Sequence, residues 1–122
     1  MDELVNYIPH ARWSKRTEHT SVCIDLKLES LWKAFASELA LDGHDLQLWK
    51  LTGTGLKQLT ASSALLIPVS LIPGMPEPRV LNGGPLSPES APIPFVNEIT
   101  ISGSLYCVLA FPPKNPDPSQ AI

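Results

Sequence analysis

From Val22 the chain alternates. Val22, Ile24, Leu26 and Leu28 point one way and Cys23, Asp25 and Lys27 the other, the period of two of a half-buried strand. Ser30 then offers an N-cap oxygen, with Glu29 near the positive end of the helix dipole. Leu31, Phe35 and Leu39 follow at i, i+4 and i+8, which makes one apolar stripe on a helix of roughly three turns. Asp42-Gly43 is the expected stop, the glycine suiting a left-handed residue. Asp45 to Leu51 reads as a second strand, with Leu46 and Leu48 on one face and Trp49 and Leu51 on the other, so both faces are expected to be covered.

The flanks are less regular. Leu4, Val5, Tyr7 and Ile8 form a candidate first strand stopped by Pro9, and ARWSKRTEHT reads as a solvated loop, so residues 1–20 stand apart from a domain over 21–113. After a TGTG turn, Leu56 and Leu59 suggest a short hairpin partner. The apolar run Leu65–Ile72 is interrupted by Pro68, which marks it as an edge strand or extended segment. Pro73–Pro94 holds seven prolines and three glycines and reads as a long loop of polyproline character. Glu98–Phe111 alternates again as one long closing strand, with Gly103 at a bend, and 114–122 reads as a disordered tail or the start of a linker.

Composition narrows the classes. With 122 residues and 43% apolar content the chain suits one domain, and its 13 prolines exclude long helices in the second half. A net charge of -3 gives no electrostatic footprint for nucleic acid. No run approaches the ~18 apolar residues of a membrane span, and the opening MDELVNYIPHARWSKR lacks the order of a conventional signal peptide. On the residues alone, the chain is expected to be intracellular.

No catalytic pattern stands out. His10, His19 and His44 have no helical metal-ligand spacing, and Cys23 and Cys107 sit in strand-like runs where a reduced, packed thiol is the expectation. Gly83-Gly84 and TGTG lack the lysine and helix of a phosphate loop. No cofactor and no metal are expected. A thiol or metal enzyme using Cys107 or Cys23 with His44 is the minor alternative.

The order strand, helix, strand, hairpin, long loop, closing strand suggests an α+β fold: a ubiquitin-like β-grasp roll with one helix packed across a mixed sheet and a long Pro-rich loop. HDLQLWKLTGTGLKQL, together with ITISGSLYCVLAFPP and PLSPESAPIPF, resembles the N-terminal domain of Crinkler-type effector proteins. Asp45, Leu46, Gln47 and Leu48 fit the start of that family's DLQLFLAK-like motif, Trp49 takes the aromatic position and Lys50 the basic one; the motif's alanine is missing. The resemblance implies a non-enzymatic ubiquitin-like module at the front of a secreted effector, serving delivery or partner binding in a host cell, often in its nucleus. Its partner would be a protein, and Leu46, Leu48, Trp49 and Lys50 the motif residues. The alternative is a stand-alone adaptor binding through the face of the Val22–Leu28 strand or through the Pro-rich loop.

Overall fold

The computed structural model describes residues 2–25, 28–81 and 83–113. Two α-helices, α1 (Asp2–Tyr7) and α2 (Leu28–Leu39), accompany seven strands: β1 (Trp13–Thr17), β2 (Thr20–Cys23), β3 (Asp45–Leu51), β4 (Lys57–Leu71), β5 (Arg79–Val80), β6 (Ile93–Ser102) and β7 (Leu105–Phe111). The strands form a single sheet in the order β1-β2-β3-β7-β4-β6-β5. Every pairing is antiparallel. The β-grasp expectation is therefore wrong. That fold needs a mixed sheet with one helix across it, whereas here a wholly antiparallel sheet carries two short helices against one face.

The sheet closes over itself, and β4 is the reason. A strand of 15 residues would run ~50 Å if straight. Yet its first residue, Lys57, pairs with Ile101 and its last, Leu71, with Leu105, positions only four residues apart. β4 must therefore coil back on itself, and it does so with register shifts between Ala61 and Ala64 and between Pro68 and Ser70. Its first half pairs with β6 and its second with β7. The short hairpin partner and the separate edge segment expected from sequence are thus one strand inside the sheet. Pro68, which has no ladder N–H to give, sits at a shift.

Coiling creates two cores. On one face Leu48 of β3, Ile67 and Val69 of β4, and Val108 and Ala110 of β7 pack against Leu4, Ile8, Phe35, Ala36 and Leu41 from the helical end. Between the two halves of the curled sheet lie Leu51, Leu59, Leu66, Phe95, Ile99, Ile101, Leu105, Cys107 and Leu109, with Leu86 inserted from the Pro-rich loop. Neighbours on β7 go to opposite cores, so this strand is central and buried on both faces.

Several local expectations change. Leu4 to Tyr7 is helical, not a strand: Leu4 and Ile8 are a turn apart and both buried, a helical stripe that tertiary packing selects. Part of the expected ARWSKRTEHT loop is β1 and its turn into β2. The Val22–Leu28 strand stops at Cys23; its Leu26 and Lys27 lie outside the described residues, and Leu28 already begins α2, ahead of the expected Ser30 cap. The long closing strand is two, β6 and β7, separated by Gly103-Ser104. The Pro-rich loop contains β5, and Leu86 N–H donates to Pro78 O at 2.9 Å. The tail, 114–122, lies outside the described residues.

Helix α2 ends on Ala40 rather than Gly43. Ala40 takes the left-handed conformation at φ 57°, and Leu41 N–H donates to Ala36 O at 2.7 Å, the Schellman pattern on a residue with a Cβ. Leu41 is buried, which holds that exit in place.

Candidate functional site

β3 is organised differently at its two ends. Toward its C-terminus it has neighbours on both sides, Thr20, Ser21 and Val22 of β2 opposite Leu51, Lys50 and Trp49, and β7 on the other flank. On the N-terminal side of Trp49 the β2 ladder stops. Asp45 to Leu48 remain paired with Phe111 to Val108 of β7, but their other flank has no ladder partner among the described residues. Ile24 N–H continues the β1 side of β2, donating to Arg12 O at 3.0 Å, and α2 begins at Leu28.

The fork so formed is a notch of about 310 Å³ lined by Ile24, Asp25, Glu29, Trp32 and Leu46, with Arg16 across it. Two further concavities adjoin it, of about 590 Å³ at Asp45, Ser62, Ser63 and Phe111 and about 180 Å³ at Trp49, Gln58, Thr60 and Phe111. Gln47 lines all three. Its Oε1 accepts the Trp49 indole N–H at 3.0 Å, which fixes both side chains on the same face of β3. Ile24 is 51% exposed, a large apolar side chain beside unpaired backbone. Such an edge can take up another strand, because its N–H and C=O groups are already aligned.

The notch is chemically uneven. Tyr7 O–H donates to Asp25 Oδ2, which fastens α1 to the segment leaving β2. Burial, and then the neighbouring Asp25 carboxylate, push the Tyr7 hydroxyl up to about 12. Asp25 and Glu29 line the notch together with Arg16, and Asp45 lines the concavity beside it. Burial also raises the Cys23 thiol, which lines the notch, and pushes Cys107 up to about 12. Both cysteines are free. They belong to strands that are not neighbours, and they pack with opposite cores.

The opposite end of β3 is closed. Lys57 is 5% exposed. Its ammonium donates to the carbonyls of Gly53 at 2.9 Å, Gly55 at 2.7 Å and Gly103 at 2.6 Å. It thereby ties the β3–β4 loop to the β6–β7 turn. Burial lowers its pKa from the ordinary lysine value, and three carbonyl partners satisfy the donors it retains. Gly103 has φ 82°, and a Cβ there would fall 2.2 Å from Glu77 O, so the backbone of the Pro-rich loop crosses this turn only because the residue is glycine.

The four motif residues fall in different places. Leu48 is fully buried in the helix-side core. Leu46 is half-buried and lines the notch, and Trp49 lines the smallest concavity. Lys50 sits at the closed end, its Nζ 5.9 Å from the centroid of the Trp13 ring, which in turn lies 5.7 Å from Tyr106. The notch thus takes Leu46 and the buried Leu48 from the motif. Ile24, Trp32, Gln47 and Arg16 are site residues that the sequence pattern does not single out. Ile24 is hidden because it continues the alternation of β2 and reads as a core position. Among the described residues no group of three or more His, Cys, Asp or Glu gathers around a common point, and no helix is long and apolar enough to cross a membrane.

Compared with family models, curated proteins and solved structures, the chain has no match.

Proposed function

We propose that this protein is a non-enzymatic interaction module that binds a partner protein by taking an extended segment of it along the open flank of β3. The observation that carries this reading is the loss of the β2 ladder at Trp49, which among the described residues leaves Asp45–Leu48 with one strand neighbour beside a notch containing an exposed Ile24. Added main-chain hydrogen bonds supply affinity in this mode, and side-chain pockets on alternate positions supply selectivity. The resemblance to Crinkler-type effectors enters this proposal only through the partner binding it implies. The ubiquitin-like surface it also implies has no counterpart in an antiparallel sheet.

The test is selection of random linear peptides on the folded chain, followed by affinity measurement on a double variant, Ile24→Asp with Trp32→Ala. Selected peptides should lose at least tenfold in affinity while the variant keeps its cooperative melting. Peptides that bind the variant equally well, or the absence of any selected peptide, would contradict the reading.

A further inference from the structure

We infer that the inner face of β3 and the unpaired edge of β4 form a second binding site, separate from the helix-side notch, and that its ligand is a neutral oligosaccharide.

The site exists because two strands part. Residues 57–61 of β4 pair with β6, and the β7 ladder reaches β4 only at Leu65, so among the described residues the other edge of 57–63 has no ladder partner. β7 does not run on to cover it: Phe111, opposite Asp45, is followed by Pro112 and Pro113, which have no N–H to continue a ladder. Across from this edge lies the side of β3 turned away from the helices, where Asp45, Gln47 and Trp49 recur at every second position. The concavities of about 590 and 180 Å³ lie between these walls and share Gln47 and Phe111, which makes them neighbours along one trough. From Asp45 to Trp49 the wall runs about 13 Å, longer than a single sugar ring.

The lining suits hydroxyl groups. Trp49 and Phe111, both half-buried against the core between the sheet halves, supply aromatic surface. Gln47 Oε1 takes the Trp49 indole N–H, so the ring is held while Gln47 keeps both amide hydrogens for a ligand. Gln58 donates to Glu98 Oε2 at 2.7 Å and keeps its own carbonyl oxygen. Ser62 and Ser63 are the two residues of β4 that oppose the single Val96 at the register shift, beside Asn97 at φ 72°, and this bulge brings two successive hydroxyls to the trough. Amides and hydroxyls both donate and accept, as sugar hydroxyls do, and aromatic surface takes the C–H face of a sugar ring. Among the described residues the charged side chains lining the trough are Asp45 in the larger concavity and Arg16 in the smaller, one of each sign. A neutral ligand meets both as hydrogen-bond partners, whereas an ionic one is repelled at one end.

The experiment titrates the isotope-labelled full chain with four neutral oligosaccharides, cellotetraose, maltotetraose, mannotetraose and tetra-N-acetylchitotetraose, and with sulfated maltotetraose. At least one neutral member is expected to shift the Trp49 indole resonance and the amides of 58–63 and 109–111 while leaving Ile24 and Trp32 unmoved. Gln47→Ala should weaken that binding at least fivefold, and the double variant Ser62→Ala with Ser63→Ala at least threefold. All three side chains are exposed, so both variants should melt as the native chain does. The sulfated sugar should bind no more tightly than the best neutral one. No shift with any of the four neutral sugars overturns the inference, as do shifts at Ile24 and Trp32 in place of Trp49, or variants that bind as well as the native chain. Tighter binding of the sulfated sugar overturns the neutral ligand. Peptide addition at the notch stands or falls separately, on Ile24 and Trp32.

Discussion

The two ends of β3 both alternate apolar and polar residues, in opposite phase, and have opposite fates. At Trp49–Leu51 the strand is enclosed by β2 and β7 and finished by the Lys57 clasp. At Asp45–Leu48 it has β7 alone among the described residues and borders three concavities. What separates them is the course of a neighbour. β2 ends at Cys23 and α2 begins at Leu28, so among the described residues the N-terminal half of the flank has no ladder partner. Stability is concentrated where the curled sheet is tied shut, and the capacity to bind where one ladder ends early.

Substitutions should break this comparison in a graded way. The largest effect belongs to Gly103→Ala. A positive φ and a Cβ 2.2 Å from Glu77 O combine strain with overlap, and chemical denaturation should show a loss of about 3–4 kcal/mol. Next comes Lys57→Met, which leaves the carbonyls of Gly53, Gly55 and Gly103 without their shared donor. About 2–3 kcal/mol should go, again by denaturation. A loss below about 0.5 kcal/mol would mean that the clasp does not hold the closed end.

Burial of Cys107 gives a pH signature at the centre of the sheet. Its thiol is pushed up from 9.0 to about 12 in the folded protein, so the folded state favours the protonated form. The stability this gives is complete below pH 9 and is lost as pH rises from there toward 12. The thermal midpoint of the native chain should therefore fall more steeply over that range than that of Cys107→Ala, although the variant starts lower. Alkylation at neutral pH should modify Cys107 only on unfolding.

The smallest effects lie at the open end and at the helix exit. Gln47→Ala is expected to change stability by less than about 0.5 kcal/mol, since an exposed side chain is lost, while weakening peptide binding. Ala40→Gly should stabilise the protein by about 0.5–1 kcal/mol, because glycine removes the Cβ penalty at φ 57°.

Much of the fold is legible locally. The periodicities of Leu31–Leu39 and Asp45–Leu51 place α2 and β3, and Gly103 marks a bend that the chain does make. What escapes a local reading is long-range. Pro68 argues for an edge strand, and only the register shift opposite Cys107 lets it sit inside the sheet. Leu4 and Ile8 serve a strand or a helix equally well until α2 provides a surface for them. The site is hidden for the same reason. The LQLWK pattern reveals a strand, but which flank of Asp45–Leu48 lacks a ladder partner among the described residues depends on where β2 ends, which the pattern of β3 itself does not carry.

Native-state hydrogen exchange along β3 tests the central claim most directly. The amides of Trp49–Leu51 should be strongly protected on both flanks. Within Asp45–Leu48, amides directed toward β7 should be protected and those directed toward the notch should exchange rapidly, then become protected on addition of a selected linear peptide. Uniform protection from Asp45 to Leu51 without any peptide would contradict an open flank.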